Sequence, residues 1–201
     1  GSLAGLDRAL ESKDASQVEQ AIRRILLLYN LIFAFGGIPL IYMGDEIGLL
    51  NDAGYRDDPE RRDDNRWMHR PAMDWERATE RDDWWSVPGR IFQGMRKMLS
   101  VRRWTVAFHA QAGAFPVWTH NESIFGLLRD SPRGRVLVLA NFSERSQTVP
   151  GYRLHEMYFG GHLIDRLTGT VVESADGITL EGYEALWLTP EHEVDASGIM
   201  N

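Results

Sequence analysis

Two clusters in this 201-residue chain have the residue types and spacing to do chemistry. The first is Asp45-Glu46, directly after the apolar run at 38–43 and the stop at Gly44. Adjacent carboxylates at the end of a strand suit general acid or base work. The same pair serves equally well to brace a loop by accepting backbone N–H bonds. The second is Asp63-Asp64-Asn65-Arg66-Trp67-Met68-His69-Arg70-Pro71, the densest polar stretch of the chain. Arg66 brings a fixed, forked set of donors that clamps a carboxylate or bonds vicinal hydroxyls. Trp67 offers a ring for the apolar face of a sugar. An internal ion-pair network ordering a long loop accounts for the same residues, and spacing alone leaves both readings open.

Other chemistries are excluded. There is no GxSxG, HExxH, phosphate-loop or dinucleotide fingerprint. The six histidines show no zinc-ligand spacing, and with no cysteine neither disulfides nor thiolate metal sites can form. Neither a metal nor a cofactor is expected. A net charge of −7 argues against nucleic acid as a partner. No apolar run approaches a membrane span, and no signal peptide is visible. The cysteine-free composition leans toward the cytoplasm over secretion. Asn121-Glu122-Ser123 and Asn141-Phe142-Ser143 match the glycosylation pattern, but so short a match arises by chance, and the second sits at a strand end.

The elements that must position these residues can be read from periodicity. Val18, Ile22, Ile25, Leu26, Tyr29, Ile32 and Phe33 recur at spacings of three and four, so residues 17–35 form a helix ending at Gly36-Gly37. Asp14 or Ser16 caps it, with Glu19 placed to complete a capping box with Ser16. The continuous apolar run 38–43 reads as a strand covered on both faces, as in a parallel sheet. Residues 44–87 have no period, and their tryptophans argue for an ordered loop. Ile91, Met95, Met98 and Leu99 mark a second helix over 88–103. From 104 onward short β-rich runs recur at 106–111, 115–120, 124–130, 136–142, 162–167, 170–173, 177–180 and 184–189, with 136–142 central. Trp118 and Trp187 fall on these strands.

Several of these stretches resemble a known family. Gly37-Ile38-Pro39-Leu40-Ile41-Tyr42-Met43-Gly44-Asp45-Glu46 is similar to the eighth barrel strand of α-amylase-type glycoside hydrolases, family 13. Gly48-Leu49-Leu50-Asn51-Asp52 and the Asp63–Pro71 cluster resemble the long loop that follows that strand in amylosucrase. Val136-Leu137-Val138-Leu139-Ala140-Asn141-Phe142-Ser143 resembles a strand of the family's C-terminal β domain, and Ser2-Leu3-Ala4-Gly5-Leu6 the stretch before the seventh helix.

The resemblance implies α/β followed by all-β: the last strand and flanking helices of a (β/α)8 barrel, then a C-terminal antiparallel β-sandwich. Residues 1–103 would hold helix 7, strand 8, the long loop and helix 8; residues 104–201 would be the sandwich. It implies a sucrose-acting, α-retaining glucosyltransferase that moves glucose onto an α-glucan with release of fructose. The catalytic carboxylates would lie upstream, so no catalytic residue is expected in this chain. Arg66 alone is carried over, as a glucosyl-pocket residue whose aspartate partner lies elsewhere, and Asp45-Glu46 becomes loop architecture. The remainder beside the sandwich falls well short of the roughly 250 residues of a barrel. Residues 1–201 are therefore expected to be inactive alone and to need the rest of the barrel as a partner, with sucrose and α-glucan binding the longer enzyme. The alternatives are a sucrose hydrolase or α-glucosidase of the same family, or a non-catalytic carbohydrate-binding module using the tryptophans.

Overall fold

The computed structural model describes residues 1–194; positions 195–201 of the expected sandwich lie outside the described residues. The chain forms two compact units. One holds residues 1–26 and 40–96, the other residues 27–39 and 97 onward.

The first unit is helical and loop-rich. It contains α1 (Leu6–Ser12), the start of α2 (Ala15–Ala34), α3 (Trp75–Ala78) and the start of α4 (Val87–Trp104). Asp14 caps α2, its carboxylate accepting from Ser16 N at 2.9 Å and Gln17 N at 3.3 Å. The expected Ser16–Glu19 box is not made. Glu19 instead takes Arg23 at 2.9 Å and pairs with Arg90 of α4. Leu6, Ile22, Ile25, Ile47, Ile91 and Met95 are buried. Gly48 sits at φ 64°, where a Cβ would lie 2.5 Å from Ile91 Cδ1, so only glycine fits there.

The loop 44–87 is ordered by a series of local turns. Short 3-10 helices span Asp45–Ile47, Ala53–Asp57, Asn65–His69 and Thr79–Asp82. Aspartates open three of its elements. Asp52, Asp64 and Asp74 each accept a backbone N–H two or three residues on.

The expected strand at 38–43 is not formed. These residues have no regular structure, and Ile38 and Leu40 are 95% and 82% exposed. A parallel strand is held by its neighbours on either side. Among the described residues, no strand pairs with this run.

The second unit is built on antiparallel β-structure: β1 (Gly113–Val117), β2 (Ile124–Ser131), β3 (Gly134–Asn141), β4 (Gln147–Val149), α5 (Gly151–Glu156), β5 (His162–Asp165), β6 (Val171–Glu173), β7 (Ile178–Leu180) and β8 (Ala185–Pro190). A six-stranded sheet runs β1-β2-β3-β8-β5-β6, and β4 pairs with β7 in a second, two-stranded sheet. A core of Leu137, Leu139, Val149, Leu154, Phe159, Leu163, Ile178, Leu180 and Leu188 joins the two sheets and α5 into a lopsided sandwich.

The opposite face of the large sheet is covered too. Trp187 is fully buried there, with its ring 4.6 Å from Phe108 and its indole N–H donating to Asn30 Oδ1 at 2.7 Å. Burial on both faces explains why β3 reads as one unbroken apolar run. The 106–111 run differs from expectation. Val106–Phe108 is a 3-10 helix, and β1 begins later, at Gly113. Its carbonyls at Ala107 and His109 are instead taken by buried Arg129, at 3.1 and 2.9 Å. β4 and α5 were not anticipated, being too short to carry a periodic signal.

Candidate functional site

Arg66, His69, Arg70 and Tyr42 line a cavity of about 330 Å³ in the first unit. The Asn65–His69 turn explains the grouping, because a 3-10 helix has three residues per turn and places 66 and 69 on one side. Asp64 starts that turn by accepting from Arg66 N at 3.0 Å. Its far end is tied to the loop's beginning: Asp52 N donates to Met68 O at 2.9 Å, and His69 Nδ1 lies 3.2 Å from Asn51 Oδ1.

Arg66 does have a carboxylate partner within this chain. Its Nε lies 2.8 and 3.0 Å from the two Asp64 oxygens, and its Nη2 donates to Oδ2 at 2.7 Å. The Arg66 side-chain bonds, followed by its backbone bond, hold the Asp64 carboxyl down at about 2. The ion-pair reading of this cluster and the clamp reading thus meet in one residue, since Nη1 takes no part in the pair and the side chain is 71% exposed. Trp67 is otherwise engaged: the Arg61 guanidinium lies 4.8 Å from its ring centroid, over a face that a sugar would need.

Asp45 and Glu46 lie within the first turn of the loop. Glu46 Oε2 accepts from Gly44 N at 2.8 Å, and Asp45 O accepts from Gly48 N at 3.0 Å. These bonds brace the tight turn between two left-handed glycines, Gly44 and Gly48. Among the described residues no group of three or more His, Asp or Glu is placed to hold a metal ion.

Arg66 was singled out from its sequence context; Tyr42 and the partnership of His69 and Arg70 were not. The signal for the two latter residues was present in the spacing 66, 69, 70, but it is readable only once a 3-10 turn is known. Tyr42 was assigned to a strand, where its role beside the loop is hidden.

Residues 116–189 match the family described as Amylosucrase, C-terminal domain. The chain is 32% identical over 179 residues to a glucosylglycerate phosphorylase of Spirochaeta thermophila, covering 84% of this chain and 30% of that protein. It is 27% identical over 183 residues to the glucosylglycerate phosphorylase of Escherichia coli, covering 90% of this chain and 30% of that protein. Among solved structures, AmyP in complex with maltose superposes with a TM-score of 0.63 at 18% identity, covering 86% of this chain and 35% of that one. The chain therefore spans about a third of the length of the relatives it matches. Its likeness is thus to the amylosucrase C-terminal domain over residues 116–189 and to glucosylglycerate phosphorylases over most of its length, and its fold is shared with amylases of known structure.

Proposed function

We propose that the polypeptide carrying this segment transfers an α-glucosyl group between a small acidic aglycone and inorganic phosphate. One observation carries the choice: the cavity is lined by Arg70, His69, Tyr42 and Arg66, whose Nη1 stays outside its pair with Asp64. Such a wall suits an oxyanion better than neutral fructose. The similarity to glucosylglycerate phosphorylases supports the same reading. In it, the glycosidic bond to glycerate breaks and a glucosyl–phosphate bond forms, with retention through a covalent glucosyl enzyme. Arg66 holds substrate beside that bond, and the carboxylates doing the chemistry come from outside residues 1–201. The division into a barrel part, 1–103, and a β domain, 104–201, belongs to the same proposal.

The second reading is glucosyl transfer from sucrose to an α-glucan, favoured by the match of residues 116–189 to the amylosucrase domain. One assay separates the two. The full-length polypeptide is offered glucosylglycerate with phosphate, and separately sucrose with glycogen. Phosphate-dependent release of glycerate is the expected result. Fructose release from sucrose without it overturns the first reading in favour of the second.

A further inference from the structure

Two tryptophans of the β-rich unit have opposite fates. Trp187 is fully buried, whereas Trp118 is 56% exposed and stands beside a second open ring, Tyr152, 60% exposed. His120 lies between them. Its centroid is 6.3 Å from that of Trp118 and 5.7 Å from that of Tyr152, with the rings inclined at 45° and 64°. His120 adopts φ 62°, a left-handed conformation uncommon for a residue with a side chain. Its Nδ1 lies 2.9 Å from Tyr152 Oη.

The frame beneath these rings is rigid. Arg153 Nε donates to Trp118 O at 2.6 Å, and Arg153 Nη1 pairs with Glu156 at 2.9 Å. Thr119 is fully buried, its hydroxyl donating to the carbonyls of Asn121 at 3.0 Å and Ile124 at 2.9 Å. Asn121 Nδ2 reaches Gln147 Oε1 at 3.0 Å and Thr148 O at 3.1 Å. Gly151 allows α5 to start beside Ser174 and Ala175, since a Cβ there would lie 2.0 Å from Ala175 O. Three aromatic rings are thus pre-set at the surface, so little ordering entropy remains to be lost on binding.

We propose that Trp118, His120 and Tyr152 form a carbohydrate contact site that takes neutral glucopyranose units of an α-glucan. The ring faces match the apolar C–H face of a pyranose, and the Tyr152 hydroxyl and His120 Nε2, the ring nitrogen outside their mutual bond, meet its hydroxyls at the edge. Glu156, which joins the frame only through Arg153, is neutralised by it. Three side chains fall far short of the roughly 800 Å² per partner that a stable protein interface buries. This site does not depend on the proposed reaction, because it is tested by binding rather than turnover.

The experiment titrates residues 1–201 with maltoheptaose, following the indole N–H resonances by NMR and retardation in glycogen-containing gels. The Trp118 resonance is expected to shift and that of Trp187 to stay. W118A and Y152A should each weaken binding about tenfold, and W104A, which removes another exposed ring of the same unit, should leave it unchanged. An unmoved Trp118 resonance in the native chain overturns the proposal, whether or not the variants fold. So does native-like binding by folded W118A and Y152A, or an equal loss in W104A.

Discussion

Residues 136–140 and residues 38–43 are both unbroken apolar runs, and they have opposite outcomes. Val136 to Ala140 form the centre of β3, each no more than 1% exposed, flanked by β2 and β8. Ile38 to Met43 form no strand, and Ile38, Leu40, Tyr42 and Met43 are all more than half exposed. An apolar sequence supplies the propensity for a strand; hydrogen bonds from neighbours and side chains over both faces make it one. The exposed run still has a consequence, since it places Tyr42 at the edge of the Arg66 cavity.

The comparison is tested most severely at Trp187. W187A removes the largest buried side chain and leaves the Asn30 amide oxygen without its donor, so unfolding of residues 1–201 should be easier by about 3–5 kcal/mol in a denaturant titration. R129A comes next, at about 2–4 kcal/mol, because it frees the carbonyls of Ala107 and His109 and leaves a cavity. Burial and the nearby Arg102 charge already lower the affinity of this guanidinium for its proton, although it stays charged at ordinary pH.

The exposed run should respond very differently. I38S combined with L40S should change the stability of residues 1–201 by no more than about 0.5 kcal/mol. Amides at 38–43 should exchange with solvent hydrogen far faster than those at 136–140. A large destabilisation or strong protection at 38–43 would show that the run is paired after all. The smallest effect is at Asp64. Its carboxyl sits below its unfolded value, so the Arg66 pair contributes fully above the unfolded value of 3.8 and is lost as pH falls through about 2. A carbon-detected NMR titration should find that midpoint near 2 in the native chain and higher in R66A, which keeps only the backbone bond from residue 66.

The helices were legible because their signal is local. Spacings of three and four mark α2 and α4, and each observed helix begins and ends within two residues of its expected limits. β3 was legible for a related reason, as a long run of β-formers between clear turns. The 106–111 run was misleading because Val106 and Phe108 have strand-like character, yet among the described residues no strand pairs with them; the run turns instead, and Arg129 takes carbonyls at Ala107 and His109. At the site, Arg66 could be found from its neighbours in sequence. Its pair with Asp64, two residues away, was not singled out, although an aspartate that caps a turn also faces the side chain it caps.

By itself, then, the sequence determined the family resemblance, the two long helices, the central strand and the candidate arginine. Each of those is written within a short window of residues. Tertiary structure decided which apolar run became a strand, which tryptophan was buried and which polar residues share a cavity. Those outcomes depend on pairing and burial between segments far apart in the chain, such as Asn30 with Trp187 or Asn51 with His69, and no local pattern encodes them.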